Sequence, residues 1–264
     1  MRDSDPVNDF SKVKEVSSNS VNLKAVKEQG RDHLEITFPA GRILLDPAQG
    51  GSLTSMLIKG KELVGQSGFG LAGFWSPRPV AHQVVKGYLI KAIKKTERGV
   101  EVELTHSVTG LEKPALDRLK IIRKYLFTPN GVKIKITLIN QAFIPRRFAF
   151  RFHNIPSHLT VSDGTADFGG VILERSPALK IVRFGAAEEE IDKAYQAGSF
   201  LNVETQVFTL RRPGYPDLTV SMGGVPVYGV IFWDAGTFST VEPVYRVLSM
   251  EPGASKDFVL NMKW

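Results

Sequence analysis

The sequence predicts an all-β protein, a large antiparallel β super-sandwich with one or few short helices. Three observations point there. Short segments alternating apolar and polar residues recur along nearly the whole chain. Clusters of Gly, Pro, Asn and Asp separate them at hairpin spacing. A single segment carries a helix pattern. Period-two alternation puts one side of each segment into a core and leaves the other side polar.

In chain order, the first residues, "MRDSDPVNDFSKVKEVSSNS", are polar, and residues 1–22 read as a flexible leader before one domain over 23–264. "HLEITF" (33–38), "GYLIKAIKK" (87–95), "GVEVELTHSV" (99–108) and "RLKIIRKYLF" (118–127) follow as strands. "GVKIKITLIN" (131–140) is joined to the last of these by the turn signal "TPNG". "RRFAFRFH" (146–153) sends Phe148, Phe150 and Phe152 to one face and Ala149, Arg151 and His153 to the other. "SHLTVSD" (157–163), "FLNVETQVFTLRR" (200–212), "DLTVSM" (217–222), "VYGVIFWD" (227–234), "FSTVEPVYRVLSM" (238–250) and "KDFVLNMKW" (256–264) complete the strands. The helix is "AAEEEIDKAYQAG" (186–198), acidic in its first turn and closed by Gly198, with its acids read as a solvated face.

Composition narrows the chemistry. The 264 residues are 42% hydrophobic, enough for a large core without staples. The absence of cysteine excludes disulfides, thiol nucleophiles and thiolate metal sites, and fits a reducing, cytoplasmic location. No apolar h-region stands near the start, and no run approaches the roughly 18 apolar residues of a membrane span. The net charge of +7 reads either as scattered surface lysine or as attraction for an anionic ligand. No basic–aromatic motif for nucleic acid occurs, so no nucleic-acid or membrane partner is expected. "GTADFGG" and "SMGG" do not form a dinucleotide fingerprint, and G-x-S-x-G, P-loop and H-E-x-x-H motifs are missing.

Three segments taken together resemble the aldose 1-epimerase (galactose mutarotase-like) family. "LLDPAQGGSLTSMLIKGKELV" (44–64) is similar to its opening strand, Gly-Gly turn and second strand. "RKYLFTPNGVKIKITLIN" (123–140) resembles its central hairpin, and "FWDAGTFSTVEPVYRVLSMEPGASKDFVL" (232–260) its closing segment. The resemblance implies a carbohydrate cleft on the concave face of one sheet. It makes Glu242 the catalytic base and His153, in "HNIP" where the family has "H-P-Y-F", the catalytic acid. The family's "N-R" and "H-G-G" elements are replaced by "GFGLAGFWSPRPVAHQVV" (68–85), where His82, Arg78 and Trp75 are candidate substrate-binding residues. His158 resembles a second family histidine, with a structural role the main alternative.

The residues themselves fit that chemistry. Opening a sugar ring at its anomeric carbon needs one proton removed and one donated, work for a carboxylate and an imidazole, with no metal or organic cofactor. Glu242 and His153 are expected to face one cleft across a gap of about one sugar ring. Pro243 points to a strand end or edge for Glu242, because proline cannot donate to a ladder. Arg151 and Asp234 complete the candidate substrate contacts, Arg151 with an ordinary salt bridge as its alternative. Trp233 reads as core. The expected ligand is a small carbohydrate, sugar or sugar phosphate. A non-catalytic sugar-binding protein is the alternative, and a lyase or hydrolase pairing Asp163, Asp167 or Asp234 with Glu242 a further one.

Overall fold

The computed structural model describes residues 8–65, 68–75, 81–83, 87–109, 116–159, 163–174, 176, 178–196, 198–234 and 239–264. Among the described residues three sheets make the fold. The first is a six-stranded meander in sequence order from Val16–Ser18 to Lys61–Glu62. The second has nine strands, with Ser255–Lys263, Gly131–Asn140 and Leu119–Thr128 at its centre and Leu89–Thr96 at one edge. The third has eight, running Ser199–Val203, Lys180–Phe184, Val227–Asp234, Ser239–Tyr245, Arg146–His153, Leu71–Trp75 and Ala81–Gln83, with Leu248–Met250 paired to the Arg146 end.

The alternation that predicts the strands also builds the core. Phe148, Phe150 and Phe152 are all buried on the inward face of the third sheet. Phe150 packs on Phe258 of the nine-stranded sheet at 4.2 Å between ring centroids, and Tyr245 meets Phe258 edge-on at 5.0 Å. Farther along, Phe232 meets Phe168 edge-on at 5.6 Å. The outward face of the nine-stranded sheet carries lysines, with Lys124 directly opposite Lys135. Glu103 and Asp257 on the flanking strands relieve that repulsion at 2.9 and 2.8 Å.

One buried charge ties the sheets together. Arg123 is fully buried in the strand Leu119–Thr128. Its guanidinium donates to the carbonyls of Gly50 and Gly70 and lies 5.6 and 5.5 Å from the ring centroids of Tyr88 and Tyr125. Tyr125 in turn donates to the Gly51 carbonyl, and burial holds its phenol protonated well above the usual range. The "GG" turn is needed for this approach. Gly51 has φ +63°, and a Cβ there would stand 2.9 Å from Leu104 Cδ1 and 3.0 Å from the Tyr125 hydroxyl.

Several strands match their sequence bounds, among them Gly131–Asn140, Arg146–His153 and Val227–Asp234. Others differ for identifiable reasons. Order begins inside the expected leader: Val16–Ser18 pairs with Val21–Glu28, Val21 is fully buried, and Asn8 bonds the Tyr88 carbonyl and the Ile90 amide. Residues 157–159 form a 3-10 turn rather than a strand, because His158 turns inward to the Pro216 carbonyl. The helix is only Glu189–Ala194. It lies in the crossover between Lys180–Phe184 and Ser199–Val203, a parallel pair that cannot be closed by a hairpin.

Arg123→Ala is expected to lower stability by about 3 kcal/mol or more, since it leaves a cavity and strands two buried carbonyls. Urea denaturation followed by fluorescence measures it.

Candidate functional site

The candidate residues meet on the outward face of the eight-stranded sheet. With the three phenylalanines of Arg146–His153 turned inward, Arg151 and His153 take the other face. In Ser239–Tyr245, Val241 and Tyr245 enter the core, so Thr240, Glu242 and Val244 face outward. Arg151 is opposite Val244. Continuing that antiparallel register by two residues sets His153 opposite Glu242.

The two side chains touch. His153 Nδ1 lies 2.8 Å from Glu242 Oε1, and Arg151 Nη1 donates to the other carboxylate oxygen. No gap of a sugar ring separates the pair, contrary to the expectation from sequence, because directly opposed residues of neighbouring strands are too close to hold one. Glu242 is 3% exposed and His153 8%. Burial pushes the Glu242 carboxyl upward, but the His153 hydrogen bond and the charge of Arg151 outweigh it and hold the pKa below the ordinary 4.5. Tyr195 is just past the helix, and burial raises its phenol while the charge of Arg151 opposes the rise.

Local sequence makes room for this triad. Arg151 is opposite Gly73, where a Cβ would sit 2.8 Å from Arg151 Cγ and 3.0 Å from Nε. The glycine therefore lets the arginine lie flat on the sheet. Pro243 does not mark an edge: its strand runs between Val227–Asp234 and Arg146–His153. The missing proline donor is tolerated because pairing toward Arg146–His153 is sparse there, and Asn154 takes over. Fully buried Asn154 receives the Val241 amide on its carbonyl at 2.9 Å, donates its side-chain amide to the Val241 carbonyl at 2.9 Å, and accepts from the Gly70 amide at 2.8 Å.

Trp233 is a residue the sequence reading misplaced. It stands opposite Thr240 and is 47% exposed, on the face of Glu242 and diagonal to it. A diagonal cross-strand neighbour is about 7–8 Å away, within reach of a ring. The run "VIFWD" concealed this, since an apolar strand end reads as core from either side. Asp234 comes next, opposite Ser239, on the other side of the strand from Trp233.

The other candidates separate from this cluster or lie beyond view. Arg78 lies outside the described residues, as do the side chains of Trp75 and His82, whose backbones pair with Ala149 and Phe74. His158 is fully buried, with burial lowering its pKa, and serves structure. Asp167 is held by Arg211 and the Gly170 amide, and Asp163 lies 3.8 Å from Arg212, so neither pairs with Glu242. Among the described residues no group of three or more His, Asp or Glu could hold a metal ion, and no helix is long and apolar enough to cross a membrane.

No family's sequence profile matches the chain, and no curated protein matches it by sequence. Solved structures match its fold. A galactose mutarotase-like protein from Lactobacillus casei is 14% identical over 91% of this chain and 99% of its own, with a TM-score of 0.53. A galactose mutarotase related enzyme from Lactobacillus acidophilus is 9% identical over 95% and 97%, at 0.54. A 4-alpha-glucanotransferase from Thermococcus litoralis matches 96% of this chain with 40% of its own, at 10% identity and 0.56. The chain has the galactose mutarotase-like sandwich fold, and at these identities the likeness carries the fold alone.

With its folded-state pKa depressed, Glu242 contributes stability that is present above the ordinary value of 4.5 and is lost as pH falls through the lower folded value. Glu242→Gln is expected to lower stability by about 3 kcal/mol at neutral pH, because Arg151, mostly covered, loses its counter-charge. The same substitution flattens the acid limb of a stability–pH curve, which urea titrations on both sides of pH 4.5 measure.

Proposed function

We propose that the outward face of the eight-stranded sheet binds a small carbohydrate over Glu242 and His153, and that the chain interconverts its anomers as an aldose 1-epimerase does. The contact between Glu242 and His153 at 2.8 Å carries the reading. The two atoms to be served, the C1 hydroxyl and the ring oxygen, hang on the same carbon, so an acid and a base in contact suit them. Nδ1 of His153 is fixed on the carboxylate, which leaves Nε2 as the position that meets the sugar.

The chemistry then balances without a cofactor. Protonated His153 gives its Nε2 proton to the ring oxygen as the C1–O bond breaks. A remaining lone pair on the Glu242 carboxylate takes the C1 hydroxyl proton, and C1 becomes the aldehyde carbon. Rotation about C1–C2 presents the other carbonyl face. Both protons return to the sugar oxygen and the imidazole they came from, and the opposite anomer forms. Arg151 keeps Glu242 ionised but weakens it as a base, so turnover is slower than an unpaired carboxylate would give. Trp233 offers its exposed ring to the apolar face of the sugar. His82, Arg78 and Trp75 stand as further substrate contacts; Asp234, on the other side of its strand, is not one of them.

A second reading, sugar binding without turnover, is favoured by one observation: both Glu242 oxygens are already engaged. Exchange NMR between anomers of a panel of hexoses and hexose phosphates separates the two. The wild-type chain is expected to accelerate exchange, and His153→Gln to slow it by about 100-fold or more while binding persists. Binding without acceleration in the wild type would leave the second reading, and undiminished exchange in His153→Gln would remove His153 as the acid. Trp233→Ala is expected to weaken binding about tenfold, the loss of a stacked ring, by titration calorimetry.

A further inference from the structure

A cleft of about 690 Å³ lies on the outward face of the six-stranded sheet, apart from the sheet that carries Glu242. Leu34, Ile36, Ile43 and Leu45 turn into the core, so His33, Arg42, Leu44 and Asp46 face outward. A bulge opposite Leu44 and Leu45 inserts Thr54, so Thr54 and Ser55 both line the cleft. The volume is within the range of roughly 300–1,000 Å³ that small-molecule sites occupy.

Most charges there are answered from within. Arg42 meets Glu28 at 3.3 Å and Glu35 at 3.2 Å. Glu62 accepts the Met56 and Val64 amides on one oxygen and the Ser55 hydroxyl on the other. Asp46 differs. It is fully buried and lines the cleft, with Oδ1 accepting the Ala48 and Gln49 amides and Oδ2 buried without a hydrogen-bond partner. His33, 6% exposed, stands beside it with Nε2 at 3.6 Å from Oδ2, beyond hydrogen-bond reach. Its Nδ1 lies 3.2 Å from the Arg31 carbonyl, and a carbonyl only accepts, so Nδ1 carries the hydrogen. In neutral His33 the Nε2 atom is then an acceptor as well. Two acceptors converge with no donor between them.

We propose that this cleft binds a small hydroxylated primary amine, an amino sugar by chemical class, with its ammonium on Asp46 Oδ2 and His33 Nε2. A buried carboxylate oxygen without a donor is costly, and a bound donor removes the cost. A hydroxyl has one hydrogen and serves one of the two acceptors. An ammonium has three, and it brings the charge that Asp46 lacks within hydrogen-bond distance. Gln49 and Thr54 line the same cleft and offer an amide and a hydroxyl to the ligand's oxygens. The site is separate from the Glu242–His153 pair and does not depend on turnover there.

Amide NMR of the full chain at neutral pH tests it, with glucosamine, glucose and N-acetylglucosamine as probes. Glucosamine is expected to shift the amides of His33, Asp46, Ala48 and Gln49 saturably, and the two uncharged sugars to do so only at about tenfold higher concentration or more. Asp46→Asn keeps an acceptor for the Ala48 and Gln49 amides but removes the charge, and is expected to weaken glucosamine about tenfold. The wild-type shifts decide alone should that variant fail to fold. His153→Gln is expected to leave the affinity read at these amides unchanged, which separates this site from the one proposed for anomer exchange. Equal shifts with all three sugars, no saturable shift with glucosamine, glucosamine shifts confined to Ser239–Tyr245, a loss of affinity in His153→Gln, or a folded Asp46→Asn chain that binds as wild type would each overturn the proposal.

Discussion

The structure depends on a buried arginine that has no carboxylate beside it among the described residues. Removing a guanidinium from water is expensive, by several kcal/mol even after relaxation. Arg123 meets that with two backbone carbonyls and two tyrosine rings. The compensation works only while Gly50 and Gly70 hold their carbonyls in place, so the charge polices the geometry of two loops from different parts of the chain. The Gly70 peptide is then shared onward, since its amide is taken by Asn154. Asn154 grips Val241 on both sides of its peptide. Glu242 is the next residue. A continuous set of hydrogen bonds therefore runs from the core arginine to the candidate site.

That path explains how a carboxylate and an imidazole can be held in register beside a proline. An ordinary ladder would be interrupted at Pro243. Asn154 supplies the missing bonds from its own backbone and side chain, so His153 stays opposite Glu242. The triad then balances itself electrostatically. Burial alone would neutralise Glu242, whereas Arg151 and His153 keep it charged. Gly73 completes the arrangement by leaving space for the arginine's stem.

The same sheet face is divided between a polar site and a covered half. The parallel pair Lys180–Phe184 and Ser199–Val203 requires a crossover, and a crossover must pack on one face of its sheet. Here it brings acids to arginines, Asp192 to Arg183 and Glu188 to Arg246. Elsewhere lysines meet acids in ordinary cross-strand pairs such as Lys124 with Glu103. Of the two readings of the charge taken from composition, scattered lysine describes the outward face of the nine-stranded sheet.

Alternation by itself determined the fold class, most strands and the face of each, because burial on one side of a strand writes a period of two into the residues. It also placed His153, Arg151 and Glu242 on polar strand faces. What it left open was which strands become neighbours, since pairing across 91 residues, as between Arg151 and Glu242, leaves no local trace. Tertiary structure alone decided that His153 meets Glu242 directly, that Trp233 faces solvent, that Asp192 and Glu188 of the acidic segment pair with arginines while Glu189 stays in solvent, and that the polar leader joins a sheet. Arg123 and Asn154 were equally invisible. A buried polar residue looks like a surface one until the carbonyls and amides that satisfy it are in place, and those come from distant loops.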